Sequence, residues 1–505
     1  MRVESLRLAA VLWLGCGALA SATEQPSIPA SPLELRFDDR EIQLPLAEGR
    51  RREIDRGAVV YLVEDHTIPL VEVAVALRAG SFLEPPRQVG LASLTGALVR
   101  RGGTRLRSAD LFDDQVDELG ARIQSFAGFT RSAASLSVPT WALDEALDLL
   151  FEVLASPAFQ EDRLASVKTN LLESMSRRNQ DPLDILEREW QWLVFGHQHF
   201  TTAPLTPSTL EAIDRQALVR FHQTYWQPEN FIFAVSGDFE VDSLLAALEE
   251  GLARWPDEAS DSARDGEIPW PPIGPELEPI PGLYHYEADA PQAKVALGTR
   301  LPREIGWDSD DRFALEVLGE ILGGSGAISR IAGRLRTAEG LVYRASARVD
   351  PGELWVGDFQ IFFGTRGSQV ARAVELSLDE LNRIRTEPVH PTELEVAKQT
   401  ILGKLRLSFD TAEETAGQLA ENELLSRPHD YWNRYLKGIE ATTAGDVLKA
   451  ARAFLKPDRL LFLVVGRWQD IAQSTPDGQS NLEKATKHRV RHLPTRDPMT
   501  LEAPN

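Results

Sequence analysis

A helical pattern, a proline turn and a glycine-terminated apolar strand occur twice in this chain at one fixed separation. The first copy, "IDRQALVRFHQTYWQPENFIFAVSGDF", begins at Ile213, and the second, "IEATTAGDVLKAARAFLKPDRLLFLVVGRW", begins at Ile439. Pro228 and Pro457 are 229 residues apart, and so are Gly237 and Gly466. Upstream, "EDRLASVKTNLLESM" and "PTELEVAKQTILGKL" align at nearly the same offset through Lys168 and Lys398. A chain of 505 residues exceeds what one hydrophobic core usually organises, and the repeat divides it in two.

Each half opens with strand-like text, "AVVYLVEDHTIPLVEVAVALRAGS" in the first and "YHYEADAPQAKVALGTRL" in the second. Long segments with apolar residues at three- and four-residue spacing follow. Strands, helices and a closing strand predict an α+β fold: two homologous domains, each a mixed or antiparallel sheet covered by helices. The stretch "PDEASDSARDGEIPWPPIGPELEPIPG" reads as a linker, assigned to residues 256–279. It separates domains at 38–255 and 280–475. The remainder, 476–505, has no apolar period and is expected to be disordered.

Composition narrows the function by exclusion. A net charge of −22 argues against nucleic acid or an anionic membrane surface as partner. At the N-terminus, Arg2 and Arg7 precede a short apolar run from Leu8 to Leu19, and Ala20 and Ala22 offer a small-residue cleavage site. Residues 1–22 are therefore expected to be a secretory signal, with 23–37 an extension ahead of the first domain. No later apolar run is long enough for a transmembrane helix. Cys16, the only cysteine, lies within the signal, so the mature chain would carry no disulfide. "WLGC" weakly matches a lipoprotein box, leaving an anchor through Cys16 as a minor alternative.

The order of further segments carries a resemblance. "EDHTIPLVEVAVALRAGSFLEPP", "GLASLTGALVRRGGT", "LGARIQSFAGFTRSAASLSV", "LLESMSRRNQDP" and "YWQPENFIFAVSGDF" succeed one another as in the insulinase/pitrilysin family of zinc metallopeptidases, which includes the mitochondrial processing peptidases. The likeness spans nearly all of the expected mature chain and implies the insulinase-like metallohydrolase fold. Active members carry H-x-x-E-H on a helix in the second of these segments. Its two imidazoles share one helix face and bind zinc, and its glutamate serves as general base. A glutamate on a later helix completes the ligand set.

Laid on this chain, the two histidine positions fall at Ser93 and Ala97, the base at Gly96, and the later ligand at Ser174 beside Glu173. None offers imidazole or carboxylate, so the resemblance implies a degenerate site that holds no metal and a chain without cofactor. His197 and His199 in "FGHQHF" form an H-x-H pair with no further ligand at suitable spacing, and read as structural or surface histidines.

The second half keeps more. "LGGSGAISRIAGRLRTAEGLVYRASARV" resembles the family's signature of a glycine-rich turn, an arginine-bearing helix and "GLxY" entering a strand. Arg336 stands four residues before Gly340, and Tyr343 three after it. In the family these two donate to the substrate carbonyl as it becomes an oxyanion. Gly323, Gly324 and Gly326 would form a substrate-contacting turn, or simply a turn. Arg330, Arg334 and Glu339 read as structural or solvated charges.

A chain without the zinc motif but with Arg and Tyr resembles the non-catalytic subunit of two-chain peptidases. The implied partner is an H-x-x-E-H-bearing chain holding the zinc, with peptides as substrate and a bacterial periplasm as the place. The alternative is a stand-alone peptide-binding or scaffold protein with no protease partner.

Overall fold

The structure is a computed structural model and describes residues 44–256, 268–272, 274, 278–302, 305–307, 309–324, 328–472 and 481–503. The expected signal, Cys16 and Gly326 lie outside the described residues.

The repeat appears as two six-stranded mixed sheets, each with helices. The first contains β1 (Arg51–Glu53), β2 (Val59–Glu64), β3 (Leu70–Leu77), β4 (Arg122–Ala127), β5 (Ser132–Pro139) and β6 (Ile232–Gly237), in the order β1-β2-β6-β3-β5-β4. The second contains β7 (Gly282–Glu287), β8 (Ala293–Arg300), β9 (Val342–Val349), β10 (Asp358–Thr365), β11 (Leu461–Gly466) and β12 (Val490–His492), in the order β12-β7-β11-β8-β10-β9. Each sheet pairs its first long strand in parallel with its last long strand, β2 with β6 and β7 with β11, and the strands from there to the far edge are antiparallel. The repeated glycine closes β6 and β11. At Gly237, φ is +117° and a Cβ would meet the Leu70 carbonyl oxygen at 2.1 Å, so only glycine fits that close passage.

Six helices matter below: α1 (Leu91–Arg101), α2 (Glu161–Ser176), α3 (Pro182–Phe195), α4 (Asp310–Gly319), α5 (Ala412–Leu424) and α6 (Leu482–Thr486). Two of them are exchanged between the halves. Helix α3 belongs to the first half by sequence but packs Ile185, Leu186, Trp190, Val194 and Phe195 on the second sheet, against β8 and β11. Helix α5 belongs to the second half and packs Ala416, Leu419 and Ala420 on Val59, Tyr61 and Ala234 of the first sheet. This explains why β2, β6, β7 and β11 are buried on both faces along most of their length, whereas β5 alternates buried and half-buried residues.

Each exchanged helix is fixed by a polar anchor on a carboxylate that is buried at Asp358 and half-buried at Glu423. Trp190 Nε1 donates to Asp358 Oδ2 at 2.8 Å, and Arg348 Nη2 lies 3.0 Å from Asp358 Oδ1. Burial pushes the Asp358 carboxyl up, with Arg348 and the Trp190 donor opposing it. In the other half, Tyr61 Oη donates to Glu423 Oε2 at 2.7 Å, and Arg51 grips the same carboxylate in a fork at 2.9 and 3.1 Å.

The C-terminal segment differs from its expectation. Residues 481–503 are ordered: they form α6 and then β12, which lies parallel to β7 and takes the outer place that β1 holds in the first sheet. His285 and His492 share a hydrogen bond between their Nδ1 atoms at 2.9 Å. Farther on, Arg496 reaches Glu189 at 3.1 Å and covers the Trp192 ring. Strand pairing and single side-chain anchors order this segment without an apolar period, and the second half extends past residue 475. In the linker, Arg78 donates to the Ile268 carbonyl at 3.0 Å and lies over the Trp270 ring, 3.9 Å from its centre, so residues 268–272 rest on the first half. Among the described residues no helix is long and apolar enough to cross a membrane.

Replacing Trp190 with Phe removes the donor to Asp358 and part of the packing between α3 and the second sheet. The expected cost is about 2–4 kcal/mol, read as a lower urea midpoint with an unchanged slope. A loss below about 0.5 kcal/mol would show that this anchor does not hold the exchanged helix.

Candidate functional site

Helix α1 is amphipathic, with Leu91, Leu94, Leu98 and Val99 buried in the first core. Its N-terminus is capped from a distance. Glu84 accepts from Gly90 N at 3.0 Å and Ala92 N at 2.8 Å, placing a carboxylate where the helix presents unpaired N–H groups. Burial pushes the Glu84 carboxyl up to about 7, against these two amide bonds. Gly90 lies in the left-handed region at φ +99°, with the Leu205 side chain against it.

The four positions that the resemblance assigns to the zinc motif have separate fates. Ser93 is exposed, Ala97 half-buried, and Gly96 buried beneath β4. A Cβ at residue 96 would stand 2.2 Å from the Ala127 amide nitrogen and 2.4 Å from the Phe126 carbonyl carbon. No side chain fits there. Ser125 fastens the same contact, donating to the Gly96 carbonyl at 2.5 Å and accepting from Arg100 N at 3.0 Å. Ser174, on α2, is exposed and lines a cavity near the α2–α3 turn, while Glu173 is not among the residues lining it.

A zinc ion does not fit this set. Ala97 and Gly96 have no donor atoms, and the two serine hydroxyls are poor substitutes for imidazole and carboxylate. The obstacle is also steric, because α1 is seated on β4 more closely than any residue with a Cβ at position 96 allows. Among the described residues no group of three or more His, Cys, Asp or Glu could hold a metal ion. His199 is buried, bonds Thr201 Oγ1 through Nδ1 at 2.8 Å and packs on Phe195 and Phe200. His197 lies on the Trp192 ring, 4.3 Å between centres. Both imidazoles serve packing.

The second half repeats the close approach. A π-helical segment, Glu320–Gly324, continues α4, and Gly323 is buried against β9 where a Cβ would lie 1.9 Å from Ala347 N. Gly323 and Gly324 therefore lie within a helical segment, at the last residues described before Gly326. Gly323 is explained by packing. At Gly324, which is exposed, a Cβ would meet the Glu320 carboxylate.

Arg336 and Tyr343 come together. A second π-helical segment, Gly333–Ala338, is followed by Gly340, whose φ of +65° turns the chain so that Leu341 N–H returns to the Leu335 carbonyl at 2.9 Å. This reversal starts β9 beside the segment it has just left. The Arg336 guanidinium carbon lies 5.5 Å from the centre of the Tyr343 ring, within cation–π range. Arg336 is exposed and Tyr343 is 84% exposed, which is rare for so large a ring. Neither side chain forms a hydrogen bond or ion pair among the described residues, and the Arg336 carbonyl accepts from Gly340 N at 3.1 Å. The neighbouring charges are engaged: Arg330 makes a two-pronged pair with Glu393 at 2.7 and 2.8 Å, and Glu339 lies 3.4 Å from Arg334 and 3.5 Å from Arg372.

Sequence reading missed Glu84, Ser125 and the arginines around Ser174. Glu84 caps its helix from six residues away, outside the usual cap spacing, and Ser125 reaches α1 only through the sheet. The Arg177-Arg178 pair was the one visible signal.

Gly96→Ala gives a test with a definite sign. Within an unhindered helix this change stabilises by about 1 kcal/mol, whereas here the methyl meets backbone atoms that cannot rotate away. The expected result is a destabilisation of about 2 kcal/mol or more by urea unfolding, with Ser93→Ala within about 0.5 kcal/mol of the unaltered chain. A stabilised Gly96→Ala protein would refute the close seating of α1 on β4.

Two family models match the chain: "Insulinase (Peptidase family M16)" over residues 59–202 and "Peptidase M16 inactive domain" over residues 212–401. Among curated relatives, the uncharacterized zinc protease Mb2805c of Mycobacterium bovis is 26% identical over 415 residues, covering 80% of this chain and 90% of its own. The non-peptidase homolog YmxG of Helicobacter pylori is 24% identical over 424 residues, covering 82% and 93%. A crystal structure of a peptidase M16 inactive domain from Pseudomonas fluorescens superposes with a TM-score of 0.73 at 22% identity, covering 84% of this chain and 98% of that one. The chain belongs to the insulinase (M16) peptidase family and carries that family's inactive domain.

Proposed function

We propose that this protein is the zinc-less subunit of an exported, heteromeric M16 peptidase. It helps enclose a peptide and supplies Arg336 and Tyr343 to the zinc site of an H-x-x-E-H-bearing partner. The observation that carries this reading is the Arg336–Tyr343 pair: two adjacent, exposed hydrogen-bond donors, unengaged among the described residues, in a chain whose own metal positions hold no ligands. Arg330 and Glu339 beside them are instead held in ion pairs.

The chemistry asked of this chain is donation. As the scissile carbonyl gains negative charge, the Tyr343 hydroxyl and the Arg336 guanidinium each offer a hydrogen bond to its oxygen. Such donors help most when fixed beforehand. The cation–π contact and the glycine-determined reversal hold the pair together without filling either donor group. The partner chain would provide metal and base. The leader-like N-terminus supports export, with a bacterial periplasm as the compartment. The name of the Helicobacter relative agrees with a chain that is not a peptidase alone, and that of the mycobacterial relative with membership in a proteolytic system.

Tyr343→Phe in the assembled complex is the test, since it removes one hydroxyl and leaves the ring under Arg336. Loss of a donor to a developing oxyanion typically lowers kcat by about 10²–10³, or roughly 3–4 kcal/mol, with a smaller change in KM. Arg336→Lys keeps the charge but loses the planar fork and should recover little activity. Assembly and the partner's zinc content should be unchanged in both. A Tyr343→Phe complex that assembles normally and cleaves at the unaltered rate would remove Tyr343 from the chemistry.

A further inference from the structure

A second feature on the first half concerns what such a peptide would present. Between the end of α2 and the start of α3 lies a cavity of about 440 Å³ lined by Ser174, Arg177, Arg178, Asp184 and Arg188. Ser174 is the position that corresponds to the family's third zinc ligand. The cavity is linked to α1 through Leu205, whose carbonyl accepts from Arg178 Nη1 at 2.8 Å and whose side chain lies against Gly90 at the start of that helix.

The charges around it do not balance. Glu189, buried beside the cavity, accepts from both Arg188 (3.2 Å) and Arg496 (3.1 Å), so one carboxylate serves two guanidinium groups. The remaining Arg188 nitrogen donates to Asn179 Oδ1 at 3.1 Å and the Arg178 carbonyl at 3.4 Å. Half-buried Arg178 has no carboxylate within ion-pair distance among the described residues, and neither has exposed Arg177. Burial and the adjacent Arg188 hold the Arg178 guanidinium below its ordinary value. Asp184 is the single acid in the lining, and it forms no ion pair with the three arginines among the described residues. Half-burying a guanidinium beside another without a counter-charge is unfavourable, and an incoming anion offsets that cost.

We infer that this cavity binds a carboxylate of the enclosed peptide, contributed either by its C-terminus or by an acidic side chain. Planar guanidinium groups match a carboxylate in two-pronged geometry, and Arg177 and Arg178 retain free N–H groups to provide it. The first half would then contribute recognition from the place where its active relatives hold metal. This deepens the peptide-binding reading above and rests on it.

Isothermal titration of the isolated full-length chain tests the inference with three hexapeptides of one neutral core: a free C-terminus, an amidated form with one internal Glu, and an amidated neutral form. The carboxylate-bearing peptides are expected to bind at least about tenfold more tightly than the neutral one, as charge-assisted hydrogen bonds imply. That advantage should shrink as salt rises. Binding confined to the free C-terminus assigns the cavity to the α-carboxylate, and binding of both peptides assigns it to either carboxylate. Arg178→Gln should abolish the advantage while leaving the neutral peptide's affinity unchanged. Arg177→Gln, at an exposed side chain with no partner to lose among the described residues, should reduce it severalfold in a normally folded protein. A neutral peptide bound as tightly as the others, or an advantage surviving both substitutions, would overturn the carboxylate assignment and leave peptide binding standing. Failure of all three peptides to bind would overturn both.

Discussion

The exchange of α3 and α5 between the two sheets is the constraint on which the rest of the molecule depends. Neither sheet is finished by its own half of the chain. The central strands present apolar side chains on both faces, and the second face is covered only when the other half delivers its helix. The apolar part of that contact is non-directional. Direction comes from the two polar anchors, Trp190 on Asp358 and Tyr61 on Glu423, each with an arginine completing the carboxylate's partners. Unmade, they would leave a carboxylate half-buried or buried without its donor, so the halves are held in one register as well as together.

Around that frame the duplication has been used unequally. Both halves press a helix onto the outermost strand of their sheet through a glycine, Gly96 on β4 and Gly323 on β9. In the first half this occurs where active members of the family need a glutamate. If Gly96 holds that position, as the resemblance implies, the backbone packing as well as the side chains opposes the motif, because a glutamate at residue 96 would meet β4. In the second half, Gly340 turns the chain so that Arg336 and Tyr343 meet in the open. One side of the duplication places residues without metal-ligand atoms at the positions the resemblance assigns to zinc, while on the other the Arg336 and Tyr343 side chains have no hydrogen-bond or ion-pair partner among the described residues.

Much of this was legible in the sequence, for identifiable reasons. A repeat anchored on Pro228/Pro457 and Gly237/Gly466 reports two similar units, because both residue types answer to backbone geometry that their neighbours cannot change. The emptiness of Ser93, Gly96, Ala97 and Ser174 could be read directly, since ligand atoms are a property of residue type. Partnership could not be read. The pattern of α3 tells that it is amphipathic and not which sheet it covers. Gly323 looked like part of a turn because the sequence did not place β9 beneath it. The segment beyond residue 480 lacks an apolar period, yet it docks through the backbone pairing of β12 and through Arg496, neither of which leaves a periodic trace. The arginines near Ser174 come from two helices and acquire meaning only once Glu189 is seen to be shared.

In the function proposed above, catalytic competence is divided between two chains, with none of the metal in this one. Reconstitution measures it most directly: the purified chain is titrated into its H-x-x-E-H-bearing partner, following peptide cleavage together with zinc in each separated chain. Cleavage should be absent with this chain alone and minimal with the partner alone. It should rise to a plateau at a fixed stoichiometric ratio, with about one zinc per partner chain and none here. Full activity of the partner without this chain, or a tightly held zinc in this chain, would show that competence is not divided in this way.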